Sequence, residues 1–226
     1  MCLLLAWLLR DVTAEVLFGV VAAIQFIVVL ALLRASVRTW EHAKPIEPAR
    51  HYTDSELPSI SVLIPARDET DELRQCLDSL IASDYPKLEV LVLDDCSMGK
   101  KTPEIIRSYA QNGVRFIKGN VPPDDWVAKN HAYEQLRAEA SGEVLVFCGV
   151  DTVFEPHAVR AIVETLLSRD KEMLSVLPTR SPQGGNIVSF LQTMRYYWEL
   201  CLPRRLFKRP PVLSTCWVVR SGLLSE

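Results

Sequence analysis

In this 226-residue chain, several charged residues stand where short apolar runs end. Arg67, Asp68 and Glu69 follow residues 59–65, Asp94 and Asp95 follow 89–93, and Asp151 follows 143–148. Adjacent carboxylates repel one another unless positive charge stands nearby. A hard divalent cation shared with a pyrophosphate meets that need, because it takes oxygen ligands and bridges phosphates. The Asp94–Asp95 pair also reads as the start of a turn before a helix cap at Thr102. Recurrence of the acids in register with Asp151 favours a site over a turn alone. Two other phosphate devices are excluded. Gly99-Lys100-Lys101-Thr102 lacks the upstream glycine of a Walker loop, and no Gly-x-Gly-x-x-Gly follows the first apolar run.

The elements that must carry these residues alternate in type. Residues 59–65 (SISVLIP), 89–93 (EVLVL), 114–118 and 143–148 (EVLVFC) are short, β-branched or apolar runs that read as buried strands, with a fifth at 173–177. Leu73, Cys76, Leu77, Leu80 and Ile81 recur at helical spacing and predict an amphipathic helix over 69–83. Thr102 as N-cap with Pro103 at the first helical position opens a second helix, to about residue 111. A third covers 128–140, and Pro156 opens a fourth whose Val159, Ile162, Val163 and Leu166 share one face. Such alternation implies an α/β sandwich with a largely parallel sheet. Ligands of these sheets lie beyond the carboxyl ends of strands at a topological switch point, which is where the acids fall.

Composition narrows the field. With 49% hydrophobic residues, 23% charged and a net charge of −3, the chain is neither disordered nor a general nucleic-acid binder. Cys2, Cys76, Cys96, Cys148, Cys201 and Cys216 contain no Cys-x-x-Cys pair, which suits reduced thiols in a cytosolic domain better than zinc or a disulfide framework. Residues 12–33 are almost wholly apolar, and as a helix they span roughly 33 Å, enough for a bilayer core. Arg34, Arg38, Lys44 and Arg50 follow this run, which places its downstream side in the cytosol. A signal peptide and a buried core helix are the rival readings; the length of the run and the lack of an early basic region favour an anchor. The predicted organisation is an anchor over 1–39, a polar linker over 40–58 and a folded domain over 59–226. The short apolar stretch 2–9 has no assigned role.

These residues also carry a resemblance. Ser61-Val62-Leu63-Ile64-Pro65-Ala66-Arg67-Asp68-Glu69 and Val92-Leu93-Asp94-Asp95-Cys96-Ser97 resemble the opening motifs of family 2 glycosyltransferases with the GT-A fold. Asp125-Trp126-Val127-Ala128-Lys129-Asn130-His131-Ala132 is similar to the Gly-Trp-x-Gly-Lys-x-x-Ala segment of membrane-anchored members, such as hopanoid- and carotenoid-associated transferases and ceramide glucosyltransferases. Gly149-Val150-Asp151-Thr152 stands where that family has Asp-x-Asp-Thr. The resemblance runs from residue 59 to the end of the chain.

The resemblance implies that Pro65, Ala66, Arg67 and Glu69 line the nucleotide base and ribose. It implies that Asp95, supported by Asp94, bonds the uracil, and that Asp151 coordinates Mg2+ or Mn2+ with the donor pyrophosphate. Lys129 fits a phosphate contact, or is a solvated helix lysine; Trp126 and His131 read as packing residues. The implied activity is inverting transfer of a sugar from a nucleotide-diphospho-sugar, UDP-linked, to a lipid or membrane-delivered acceptor. The catalytic domain would then lie on the cytoplasmic side of the cell membrane. Gly149 removes one of the two metal-motif carboxylates, and Asp125 and Ala128 stand where glycines are usual. The general base, in a Thr-Glu-Asp-like motif, is expected beyond Glu226, so the chain resembles the donor-binding half of an enzyme. A non-catalytic nucleotide-sugar-binding module and a nucleotidyltransferase are the alternatives. The latter wants a glycine-rich basic signature that Pro65-Ala66-Arg67-Asp68 does not supply.

Downstream, Ile187, Leu191, Met194, Trp198 and Cys201 form an apolar stripe at helical spacing, followed by Arg204, Arg205, Lys208 and Arg209. This reads either as an interfacial helix on the cytosolic leaflet or as a core helix with a solvated basic end. Residues 213–219 read as a further strand.

Overall fold

A computed structural model describes residues 14–42, 48–176 and 216–224. Helix α1 (Ala14–His42) belongs to the first of the two units into which the chain divides. Its window Val16–Arg34 is long and apolar enough to cross a membrane, and none of it is buried. A core helix of a folded domain is mostly buried, and among the described residues this window is not.

The second unit is built on strand β1 (Ile60–Ala66). β2 (Leu88–Asp94) pairs in parallel along one side of β1, from Ile60↔Leu88 to Ala66↔Asp94. β3 (Val114–Lys118) adds in parallel beyond β2. The chain then crosses to the other side of β1, where β4 (Val144–Phe147) pairs in parallel from Ile60↔Val144 to Leu63↔Phe147. β6 (Cys216–Arg220) runs antiparallel between β4 and β5 (Met173–Val176), giving the order β3-β2-β1-β4-β6-β5. The direction of travel reverses between β1 and β4, and that reversal opens a crevice at their carboxyl ends.

Alternation along β1 sorts its side chains into two layers. Val62 and Ile64 join α2 (Asp71–Ile81), α3 (Lys101–Ser108) and α5 (Ala158–Ser168) through Leu73, Leu77, Ile106, Ile162 and Leu166. Leu63 faces the other way, onto Ala132, Tyr133 and Leu136 of α4 (Ala128–Glu139). A sheet covered on both faces needs strands apolar on both faces, which is why these strands read as continuous runs. Leu63 is completely buried, and its truncation to Ala would cost about 2–5 kcal/mol.

Three expectations change. Thr102 does not cap α3, which starts one residue earlier. The hydroxyl of Thr102 is buried and donates to the Glu69 carbonyl at 2.8 Å, because the loop after β1 needs that donor more than the helix end does. Helix α1 runs on to His42, past the expected end of the anchor at residue 39. Much of the stretch read as linker is bound to the folded unit. Tyr52 N–H donates to Glu164 on α5 at 3.1 Å, Arg160 donates to the Tyr52 carbonyl and pairs with Asp54, and Leu57 is buried. Residues 43–47, the apolar stretch 2–9, the stripe from Ile187 to Cys201, the basic cluster 204–209 and residues 213–215 lie outside the described residues. Cys76, Cys96 and Cys148 are free thiols.

Candidate functional site

At the carboxyl ends of β1 and β4 lies a pocket of about 410 Å³. Pro65, Ala66, Arg67 and Glu69 line it from the first loop, Asp95 from the second, Lys129 from the first turn of α4, and Gly149, Val150 and Asp151 from the loop after β4. Loops that leave three different strands thus meet at one crevice. Of the residues given a binding role from the sequence, Asp94 alone is not among those lining the pocket.

Backbone geometry separates the two neighbouring aspartates. Asp95 N–H donates to the Ala66 carbonyl at 2.8 Å, prolonging the β1–β2 ladder by one bond. The Asp94 carbonyl then accepts Cys96 N–H at 2.9 Å and Gly119 N–H at 3.0 Å, and its carboxylate accepts Ser97 N–H at 3.3 Å. Asp94 therefore closes the turn, while Asp95, largely buried, lines the pocket. Cys96 takes φ +56° to complete this change of direction, a conformation costing a non-glycine residue roughly 1–2 kcal/mol. Gly119 is required here, because a Cβ would lie 2.7 Å from the Asp94 carbonyl oxygen.

A second set of bonds fixes the loop that carries Arg67. Asp68, at φ +53°, donates its N–H to Ser97 Oγ at 2.9 Å and accepts Met98 N–H at 2.8 Å. On the far side, Tyr133 on α4 donates its buried hydroxyl to the Cys148 carbonyl at 3.0 Å, one residue before Gly149. Its ring packs edge-on against Phe147, which stacks on Trp217 with centroids 3.7 Å apart. Lys129 Nζ stands 5.9 Å from the centre of the same tyrosine ring. His131 is held by Gln135, which also accepts Asn120 N–H, and Trp126 lies edge-on to that imidazole. Both are tied to packing and loop support.

Four carboxylates (Glu69, Glu72, Asp95 and Asp151) and two cations (Arg67 and Lys129) line the pocket. Burial, reinforced by the charges of Glu72, Asp151 and Asp68, holds the Glu69 carboxyl above its usual range. An acidic excess of this kind accepts a hard cation. Among the described residues, however, no three His, Cys, Asp or Glu side chains are grouped to hold one unaided. A Cβ on Gly149 would meet Asp151 Oδ1 at 2.6 Å, so the Asp151 carboxylate lies over the bare Cα. A cation here fits one protein carboxylate plus oxygens brought by the ligand.

Sequence reasoning missed Glu72 and Tyr133, and it gave Asp68 no role of its own. Glu72 lies three residues after Glu69 in the acidic first turn of α2, a spacing that signals a shared face. Nothing in the sequence points to the Tyr133–Cys148 bond, which joins a helix side chain to a backbone carbonyl fifteen residues on.

The family model described as Glycosyl transferase family 2 matches residues 61–226. The probable glycosyltransferase YdaM of Bacillus subtilis (strain 168) is 34% identical over 120 residues, covering 51% of this chain and 28% of that protein. A 4,4'-diaponeurosporenoate glycosyltransferase of Staphylococcus aureus (strain bovine RF122 / ET3-1) is 30% identical over 122 residues, covering 53% of this chain and 32% of that protein. The matched stretch thus spans about a third or less of these relatives' length. Among solved structures, the mannosyltransferase PcManGT from Pyrobaculum calidifontis, in complex with GDP-Man and Mn2+, has the same fold with a TM-score of 0.59. That likeness covers 90% of this chain and 57% of that one at 19% identity.

Proposed function

The chain belongs to glycosyl transferase family 2, and from that premise we propose that its pocket binds a nucleotide-diphospho-sugar, UDP-linked, for metal-assisted, inverting transfer of the sugar to a lipid or membrane-delivered acceptor. The observation that carries this reading is the meeting of Arg67, Asp95, Lys129 and Asp151 around one pocket at the strand-order reversal. Asp95 would accept an N–H of the base, and Arg67 and Lys129 would face the diphosphate, with Lys129 acting as a point charge. Asp151, together with the diphosphate oxygens, would hold Mg2+ or Mn2+, which neutralises charge on the departing diphosphate. A neighbour in complex with GDP-Man and Mn2+ supports a metal at such a site. No described residue is assigned as the base that takes the acceptor's proton.

Helix α1 would anchor the chain, with Arg34 and the basic residues beyond it on the cytoplasmic side together with the folded domain. The organisation into anchor, connection and donor-binding domain follows from this. A relative named as a diaponeurosporenoate glycosyltransferase supports an apolar acceptor. A second reading, a nucleotide-sugar-binding module without turnover, is favoured by Gly149, which leaves the motif one carboxylate.

Calorimetric titration of the full chain with UDP and with GDP, with and without Mn2+, tests the proposal. Metal-dependent UDP binding, weakened at least tenfold by Asp151→Asn, is the expected result. UDP binding indifferent to both metal and substitution would overturn the metal assignment. Preference for GDP would overturn the uracil assignment, and no binding of either would overturn the donor site. Turnover of a UDP-sugar separates the transferase from the binding module.

A further inference from the structure

We infer that Tyr133 is a positioning residue for the metal side of the pocket: its hydroxyl supplies the hydrogen bond that Pro65 cannot give the Cys148 carbonyl, and so fixes the loop carrying Asp151 against the helix carrying Lys129. The inference rests on the proposed donor site and names a residue that would set its geometry without lining it.

The need for such a bond follows from the β1–β4 register. Residues pair from Ile60↔Val144 to Leu63↔Phe147, and Cys148 N–H still donates to the Leu63 carbonyl at 3.2 Å. In a parallel ladder, a residue whose N–H bonds residue 63 of the neighbouring strand turns its carbonyl to the N–H of residue 65. Residue 65 is proline and has no N–H. The ladder therefore ends at Cys148, a fully buried residue whose carbonyl gets no donor from β1. A buried carbonyl left unpaired is costly, so its partner must come from another element. Tyr133 on α4 provides it at 3.0 Å. Burial raises the phenol above its usual range, so the hydroxyl keeps its proton and donates.

This bond lies between two groups that line the pocket. On one side, Gly149 follows Cys148 directly, and Thr152 N–H donates back to the Gly149 carbonyl at 3.2 Å, closing a tight turn that contains Asp151. Beyond the turn, Phe154 N–H donates to Ser79 Oγ at 3.1 Å. The turn is thus held at its entry by Tyr133 and past its exit by Ser79. On the other side, Lys129 stands one helical turn before Tyr133, with Nζ 5.9 Å from the centre of its ring. The ring is itself held edge-on to Phe147 and to Trp217, at centroid distances of 5.3 and 6.5 Å. One packed side chain thereby sets the separation between the proposed phosphate cation and the proposed metal carboxylate.

Tyr133→Phe tests this, because it keeps the ring and its packing and removes only the hydroxyl. Two measurements on the full chain separate the halves of the site: calorimetric titration with UDP, and loss of the free Mn2+ paramagnetic resonance signal in the presence of UDP. The expected result is metal-free UDP affinity within about twofold of wild type and Mn2+ affinity about five- to tenfold weaker, the size of one lost hydrogen bond. Pro65→Ala restores an N–H at position 65, and in that background removing the Tyr133 hydroxyl is expected to cost Mn2+ affinity less than about twofold. Leu136→Val, at a buried position three residues further along α4, is the packing control, expected to lower Tm and leave Mn2+ affinity unchanged. Equal weakening of UDP with and without Mn2+, or a matching loss of Mn2+ affinity in Leu136→Val, would reduce Tyr133 to a core residue and overturn the inference. So would unchanged Mn2+ affinity in Tyr133→Phe, or a loss undiminished by Pro65→Ala. Wild-type protein that binds UDP and ignores Mn2+ would overturn the metal assignment itself, and this inference with it.

Discussion

The carboxylate of Asp68 accepts the backbone N–H of Met98 at 2.8 Å and that of Gly99 at 3.4 Å, across thirty residues of sequence, and so pins the loop after β1 to the loop after β2. Arg67 and Asp95 approach the pocket from these two loops, so their spacing depends on this clamp. Asp68→Ala is expected to raise the Kd for UDP roughly tenfold, with about 1–2 kcal/mol lost in stability as two N–H groups lose their acceptor. Asp68→Asn should lose less, because Asn keeps an acceptor and tolerates φ +53°. Calorimetric titration beside denaturant unfolding checks both variants. An unchanged Kd in Asp68→Ala would show that the clamp does not position the site.

The acidic pocket should make the empty protein less stable than it need be. Burial first, then the charges of Glu72, Asp151 and Asp68, raise the Glu69 carboxyl above its usual range. A carboxyl raised on folding costs stability once it ionises. The cost is absent below the unfolded-state pKa of about 4.3 and grows as pH rises through the higher folded value. Glu69→Gln is thus expected to raise Tm by one or two degrees near neutral pH and to leave it unchanged near pH 3.5, read by scanning calorimetry. A gain that persists at pH 3.5 would point to packing instead of charge.

Gly149 has no positive φ, so the backbone there accepts a side chain. The obstacle is Asp151 Oδ1, 2.6 Å from the site of a new Cβ, and it sits at the end of a side chain that can rotate. Gly149→Asp is therefore expected to fold, to displace the Asp151 carboxylate and to add a second oxygen donor. Mn2+ should bind roughly tenfold tighter in the presence of UDP, measured by loss of the free-ion paramagnetic resonance signal.

Glu164 is buried, accepts Tyr52 N–H at 3.1 Å and stands 2.9 Å from His51 Nδ1. The imidazole is mostly exposed, so the pair itself contributes little; the backbone bond is the one that matters. Glu164→Ala is expected to cost about 1–3 kcal/mol by leaving Tyr52 N–H unpaired. Faster amide exchange across residues 50–54, with a smaller effect in Glu164→Gln, is the matching signature.

How much of this was legible depends on the range of the interaction. β1 and β2 could be placed from composition, because strands apolar on both faces belong only in a covered parallel sheet. The approach of Arg67, Asp95 and Asp151 followed from the same topology, since strand ends at an order reversal share a crevice. Which of two adjacent aspartates enters the pocket did not follow from topology; the resemblance pointed to Asp95 with Asp94 in support, and the structure reaches that arrangement through positive φ at Cys96 and a close approach of Gly119. Thr102 misled for a related reason. Its local signal was a helix cap, but a carbonyl thirty-three residues earlier took the hydroxyl. The binding of residues 50–57 to α5 was hidden as well, because polar composition does not distinguish a free connection from one held by buried Glu164.

Among the described residues β5 pairs only with β6, and β6 lies forty residues further along the chain, from Val176 to Cys216. During synthesis, β4 emerges with its outer edge unpaired, all four of its residues destined for the interior, and stays so until β6 arrives. An open edge of this composition invites pairing with other chains. The sheet is thus most exposed to aggregation in nascent chains halted between β5 and β6, a hazard of biosynthesis that the finished fold conceals.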